Sequence, residues 1–233
     1  MSTAGVHVVA AGAAPASRWA RFASSSIGQK VVMAATGVVL CGFVLVHMAG
    51  NLTAFRGQQA IDAYSAGLRH LPALLWGARV MLLAAVLLHI WAYLALTRRS
   101  LAARPQGYRL AAHRESSFAS RSMRYTGPLV LVFIVFHILH MTTGTVHPAF
   151  VEGAVYHNLI TGLGVVPVAL FYLVALAGLA FHLFHGVWSI FQSVGLGQPR
   201  YDSLGRHLAT VFTLVVIAGF AAVPLSVLTG ILE

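Results

Sequence analysis

Apolar residues fall into five long blocks along the chain, at residues 31–52, 73–97, 125–146, 164–193 and 208–231, separated by polar or mixed segments. A helix rises about 1.5 Å per residue, so about 20 apolar residues cross the hydrocarbon of a bilayer. Every block is long enough. None contains Asp, Glu or Lys, and Arg79, near the start of the second, is the one arginine inside them. The fourth exceeds what a perpendicular span needs and is expected to tilt or to extend beyond the hydrocarbon. The pattern predicts an all-α integral membrane protein. Its membrane domain, residues 31–233, is a bundle of five transmembrane helices, preceded by a polar segment, residues 1–30. That segment has no apolar core of the signal-peptide kind, so no cleaved leader is expected.

Composition agrees with the pattern. Of the 233 residues 58% are hydrophobic and 9% charged, against about a quarter charged in soluble domains. So few charges cannot cover a water-soluble globule. The charge is lopsided, 15 Lys+Arg against 5 Asp+Glu. A basic chain can bind nucleic acid, but here the arginines lie between apolar blocks, which is the bilayer pattern, and no nucleic-acid partner is expected. Twelve basic residues fall on one side of the predicted bundle. They are Arg18, Arg21 and Lys30 before the first block, seven arginines from Arg98 to Arg124, and Arg200 and Arg206. Three (Arg56, Arg69 and Arg79) fall on the other. Positive-inside bias therefore places the N-terminus and both basic loops in the cytoplasm. The segment from Arg98 to Arg124 is either a plain topogenic loop or a docking surface for a cytoplasmic partner. The single cysteine, Cys41, allows no internal disulfide, and there is no Cys-x-x-Cys-His for covalent haem attachment.

Six of the 12 histidines, His47, His89, His137, His140, His182 and His185, fall inside the blocks. Polar side chains in hydrocarbon are costly and usually functional, although single ones also serve as interhelical hydrogen-bonding groups. With the N-terminus inside, His47 lies about 24 Å along the first helix, and His137 and His140 lie past the midpoint of the third. His89 lies about 12 Å before the cytoplasmic end of the second helix, and His182 and His185 lie in the inner half of the fourth. The histidines thus sort into two levels, each supplied by two helices. A zinc site would want three or four converging ligands. Two imidazoles per iron is a haem pattern, with no open position on the metal. Gly50, Ala85, Gly178 and Gly186, each about one turn from a histidine, are candidates to make room for a flat macrocycle.

Four local patterns then resemble the cytochrome b anchor of succinate:quinone oxidoreductases, the succinate dehydrogenase and fumarate reductase family, in its single-chain, five-helix, dihaem form. The first is Ile27-Gly-Gln-Lys30 leading to Phe43-Val-Leu-Val-His47-Met-Ala-Gly-Asn51-Leu52, and the second is Leu88-His89-Ile-Trp-Ala-Tyr93. The third is Arg124-Tyr-Thr-Gly127-Pro128 followed by Phe136-His137, and the fourth is Phe181-His182-Leu-Phe-His185-Gly186-Val-Trp188. The resemblance implies two b haems, with His89 and His182 binding the iron nearer the cytoplasm and His47 and His137 the iron nearer the outer face. Depth alone does not choose His137 over His140 or His182 over His185; the family register does. His140 and His185 then stand near the same sites as hydrogen-bond or propionate partners, or as packed histidines.

The resemblance further implies a respiratory-chain and tricarboxylic-acid-cycle role in the cell inner (cytoplasmic) membrane. The chain would be an enzyme subunit doing no succinate chemistry itself. A flavoprotein subunit and an iron–sulfur subunit would dock on its cytoplasmic side, and electrons would pass to or from a membrane quinone, menaquinone or ubiquinone. Some fumarate reductases of this type carry a glutamate two residues before the fourth-helix ligand; here the position is Ala180, so no glutamate proton path is carried over. After the first helix the one acidic residue is Asp62. Arg79 is a candidate haem-propionate or quinone-site partner, or an arginine snorkelling to the interface. The alternatives are the cytochrome b of a hydrogenase or formate dehydrogenase, and a proton or metal transporter using histidines. The order of the four patterns argues against the first. The lack of inverted repeats and of membrane carboxylates argues against the second.

Overall fold

The computed structural model describes residues 17–103, 118–193, 195 and 198–233. These residues form helices and connecting turns. A short helix α1 (Arg18–Ala23) leads into α2 (Ser26–Asn51), then a 3-10 turn (Leu52–Arg56), α3 (Gln58–Arg69) and α4 (Pro72–Ala102). There follow α5 (Phe118–Met141), α6 (Val155–Leu163), α7 (Val166–Ser193) and α8 (Pro199–Leu228). Five of them, α2, α4, α5, α7 and α8, are long and apolar enough to cross a membrane. Large apolar side chains point outward along them, among them Leu83, Val132, Val174 and Leu214, each more than half exposed. Water would not tolerate such a surface, whereas lipid requires it. The protein is an all-α integral membrane bundle.

The helices extend beyond the apolar blocks at several ends. α5 is already helical at Phe118, the first described residue of its segment, rather than only from near 125, and α4 runs to Ala102 rather than 97. Hydropathy marks the hydrocarbon layer, whereas helical hydrogen bonding continues into the interface wherever the backbone permits. At the other end α5 stops at Met141 rather than 146. Gly144 adopts φ 71° there, a left-handed geometry that glycine takes without strain and that ends helices. Ser25 caps α2 by accepting from the Gly28 N–H at 3.0 Å. Most of the basic segment, residues 104–117 with Arg104, Arg109 and Arg114, lies outside the described residues, as do residues 1–16.

The spanning helices pack as a row, α4–α2–α7–α5, with α8 against both α2 and α7. Where α7 ends and α8 begins, Trp188 Nε1 donates to Asp202 at 3.0 Å and Arg206 Nε donates to the same carboxylate at 2.9 Å. The Arg206 guanidinium also lies 4.4 Å from the Trp188 ring centroid. This basic end carries the starts of α2, α5 and α8. The opposite end is closed by α3 and α6, which the apolar pattern does not predict. Asp62 on α3 accepts from the Tyr156 N–H at 3.0 Å and caps α6, while Tyr64 seats on Gly50, where an added Cβ would stand 2.8 Å from its ring. Ala54, Ile61, Leu159, Leu163, Tyr172, Val223 and Leu232 form a buried apolar cluster there.

Candidate functional site

The row packing sets up the site. His89 on α4 and His182 on α7 face each other with ring centroids 6.3 Å apart. His47 on α2 and His137 on α5 do the same at 5.8 Å. Among the described residues α4 and α7 share no packed interface, nor do α2 and α5. Each imidazole pair therefore reaches across a gap between helices two places apart in the row, with one helix between them. With a metal–imidazole bond of about 2 Å, two imidazoles on opposite sides of one metal have centroids about 6 Å apart. Both pairs have that spacing. No three His, Cys, Asp or Glu side chains converge among the described residues, so the donor set suits two bis-imidazole irons and not a zinc cluster.

Three helices measure the distance between the two levels. On α2, Thr36 contacts His89 and His47 belongs to the other pair; eleven residues separate them, about 16 Å. On α5, Gly127 lies beside His182 and His137 is ten residues on, about 15 Å. On α7, Tyr172 contacts His137 and His182 is again ten residues on, about 15 Å. Two stacked levels follow from the register of each helix separately.

The pair nearer the basic end is the better prepared. Thr36 Oγ1 is 3.0 Å from His89 Nδ1, and the Met33 backbone on the same helix is a second hydrogen-bond partner of the ring. His182 has a buried Nδ1 with no hydrogen-bond partner, a costly arrangement unless the ring is held by something else. Gly37 and Gly127 flank the two rings: a Cβ on Gly37 would lie 3.8 Å from His89 Cε1 and one on Gly127 4.0 Å from His182 Cε1. The four small residues expected to make room for a macrocycle differ in their surroundings. Gly50 receives Tyr64, and an added Cβ on Gly178 would stand 2.6 Å from Leu129 in the α5–α7 interface. Gly186 faces open space, and Ala85 is buried on α4.

The far pair is enclosed by aromatic rings. Phe43 stacks on His47 at 5.3 Å, Phe220 of α8 lies 5.7 Å from it, and Phe133 lies 5.6 Å from His137. Asn51 Nδ2 makes a long 3.4 Å contact to His47 Nε2, so this imidazole must give up a partner to bind a metal through that nitrogen. The Tyr172 hydroxyl joins His137 Nδ1 at 3.2 Å and His140 Nδ1 at 2.9 Å. His140 is 2% exposed and stacks on His147 at 4.7 Å. His147 in turn accepts from the Ala149 N–H at 3.2 Å and donates from Nε2 to the Asn158 carbonyl at 2.9 Å. His140 is thus a packed, hydrogen-bonded neighbour of the pair. His185 sits edge-on to Trp188 at 6.1 Å, with its Nδ1 buried and unpartnered. Arg79 is exposed, with its guanidinium 4.8 Å from the Trp76 ring centroid. It is ten residues before His89 along α4, about 15 Å, and no contact joins it to either histidine pair.

Thr36 and Tyr172 escape sequence reasoning because a hydroxyl in an apolar helix has many uses and its partner lies 53 or 35 residues away. A family model described as the succinate dehydrogenase/fumarate reductase transmembrane subunit matches residues 97–222. No curated protein and no solved structure matches the chain. The matched stretch includes His137, His140, His182 and His185 and leaves out His47 and His89.

Proposed function

Because the chain belongs to the succinate dehydrogenase/fumarate reductase transmembrane subunit family, we propose that it carries electrons through two b haems between an iron–sulfur subunit and membrane quinone. In this reading His89 and His182 hold the inner haem, and His47 and His137 hold the outer one. The basic end faces the cytoplasm of a cell inner membrane and receives the iron–sulfur subunit, with its flavoprotein. A bis-imidazole haem supplies a one-electron iron couple with no open coordination position.

One observation carries the reading: two imidazole pairs, each at the spacing of a shared metal, lie about 15 Å apart along the bundle. The chain's own groups do the remaining work. Four helices hold the rings at two depths, and aromatic residues line the outer pair around His47 and His137. Neither Ala180 nor any acidic side chain in the apolar blocks offers a carboxylate for proton transfer within the bilayer. A reduced-minus-oxidised spectrum of the detergent-purified complex checks the proposal. Haem b bands together with co-purifying flavoprotein are the expected result; a colourless chain contradicts it.

A further inference from the structure

Resting on that reading, we propose that Thr36 is the positioning residue of the inner haem, fixing the tautomer and orientation of His89. Thr36 is buried on α2. Its Oγ1 lies 2.8 Å from the Val32 carbonyl, 3.1 Å from the Met33 carbonyl and 3.0 Å from His89 Nδ1. A hydroxyl has one hydrogen and two lone pairs, and a carbonyl can only accept. The Thr36 hydrogen therefore goes to the backbone of its own helix. The remaining contact requires His89 Nδ1–H to donate to Oγ1, so the lone pair of the neutral ring sits on Nε2, the atom free to bind a metal. The next residue, Gly37, lies beside the same ring, where an added Cβ would stand 3.8 Å from His89 Cε1. His182, on the other side of the gap, has no such partner for its Nδ1. The two ligands of the inner iron are thus unequal, and α2 orients the site through His89 although it supplies no inner ligand itself.

An acceptor on the far nitrogen of a metal-bound imidazole raises the basicity of the ligand. That favours ferric over ferrous iron and lowers the midpoint potential. Thr36→Val keeps the shape and removes the hydroxyl acceptor, leaving the Met33 backbone as the ring's partner; Thr36→Ser keeps the hydroxyl. Redox titration of the purified complex, followed in the haem b bands, reads the effect.

The expected result for Thr36→Val is a shift of about tenfold towards ferrous iron in the inner haem, a rise of about 59 mV for a one-electron couple. The outer haem keeps its potential, and Thr36→Ser titrates as wild type. Loss of the inner haem from Thr36→Val alone, with Thr36→Ser retaining it, also supports the role. Equal behaviour of the two variants overturns it, as does an equal shift of both haems. A wild-type chain with two haems and an unmoved Thr36→Val removes this inference alone, whereas a wild-type chain without haem removes the function it rests on.

Discussion

An imidazole buried in a bilayer must account for both of its nitrogens, and the six membrane histidines solve this differently. His89 spends one nitrogen on Thr36 and keeps the other free. His140 gives one to Tyr172 and packs its ring face on His147. His137 reaches the same Tyr172 hydroxyl, and what separates the two is the ring each faces, His47 for His137 and His147 for His140. Replacing His137 with Gln should remove one haem per chain. His140→Gln should leave both haems bound, its side-chain amide taking over the hydrogen bond to Tyr172. Haem quantification on the two variants checks this; loss of a haem from His140→Gln with retention in His137→Gln would reverse the assignment. The ligand candidates were legible in the sequence because a polar ring every few turns of an apolar helix stands out. Their hydroxyl partners were not, because which face of α2 meets α4 is decided only when the helices pack.

Among the elements, the five spans were readable from apolar length alone, whereas α3 and α6 were not. α3 is a mixed polar segment whose fully buried side chain is Ile61, at 3% exposed, and α6 is too short for its apolar residues to signal a span. Their placement depends on contacts distant in sequence, such as Asp62 capping α6. Gly162 on α6 shows how tightly this end is built. An added Cβ there would stand 2.7 Å from His147 Nε2 and 2.8 Å from His140 Cε1, atoms of rings already fixed by hydrogen bonds. Gly162→Ala should cost about 1–3 kcal/mol through overpacking. Gly67→Ala on exposed α3, where nothing lies within 4 Å of the added Cβ, should be neutral or stabilise by about 0.4–1 kcal/mol. Thermal unfolding of the solubilised protein compares them, and equal midpoints would show that the histidine stack yields without cost.

For the whole molecule, the row α4–α2–α7–α5 explains why the paired imidazoles come from helices that are not neighbours in the row. Direct packing of α4 on α7 would bring His89 and His182 too close for a metal to lie between them, and the intervening α2 sets the gap. The same arrangement divides the labour along the chain: the family match covers one histidine of each pair, and the folding of α2 and α4 onto that stretch supplies the other. Haem content per chain, measured in wild type, His89→Gln, His137→Gln and the double variant, tests this most directly. Two, one, one and none is the predicted series. A wild-type value below two, or single variants that each keep both haems, would contradict it.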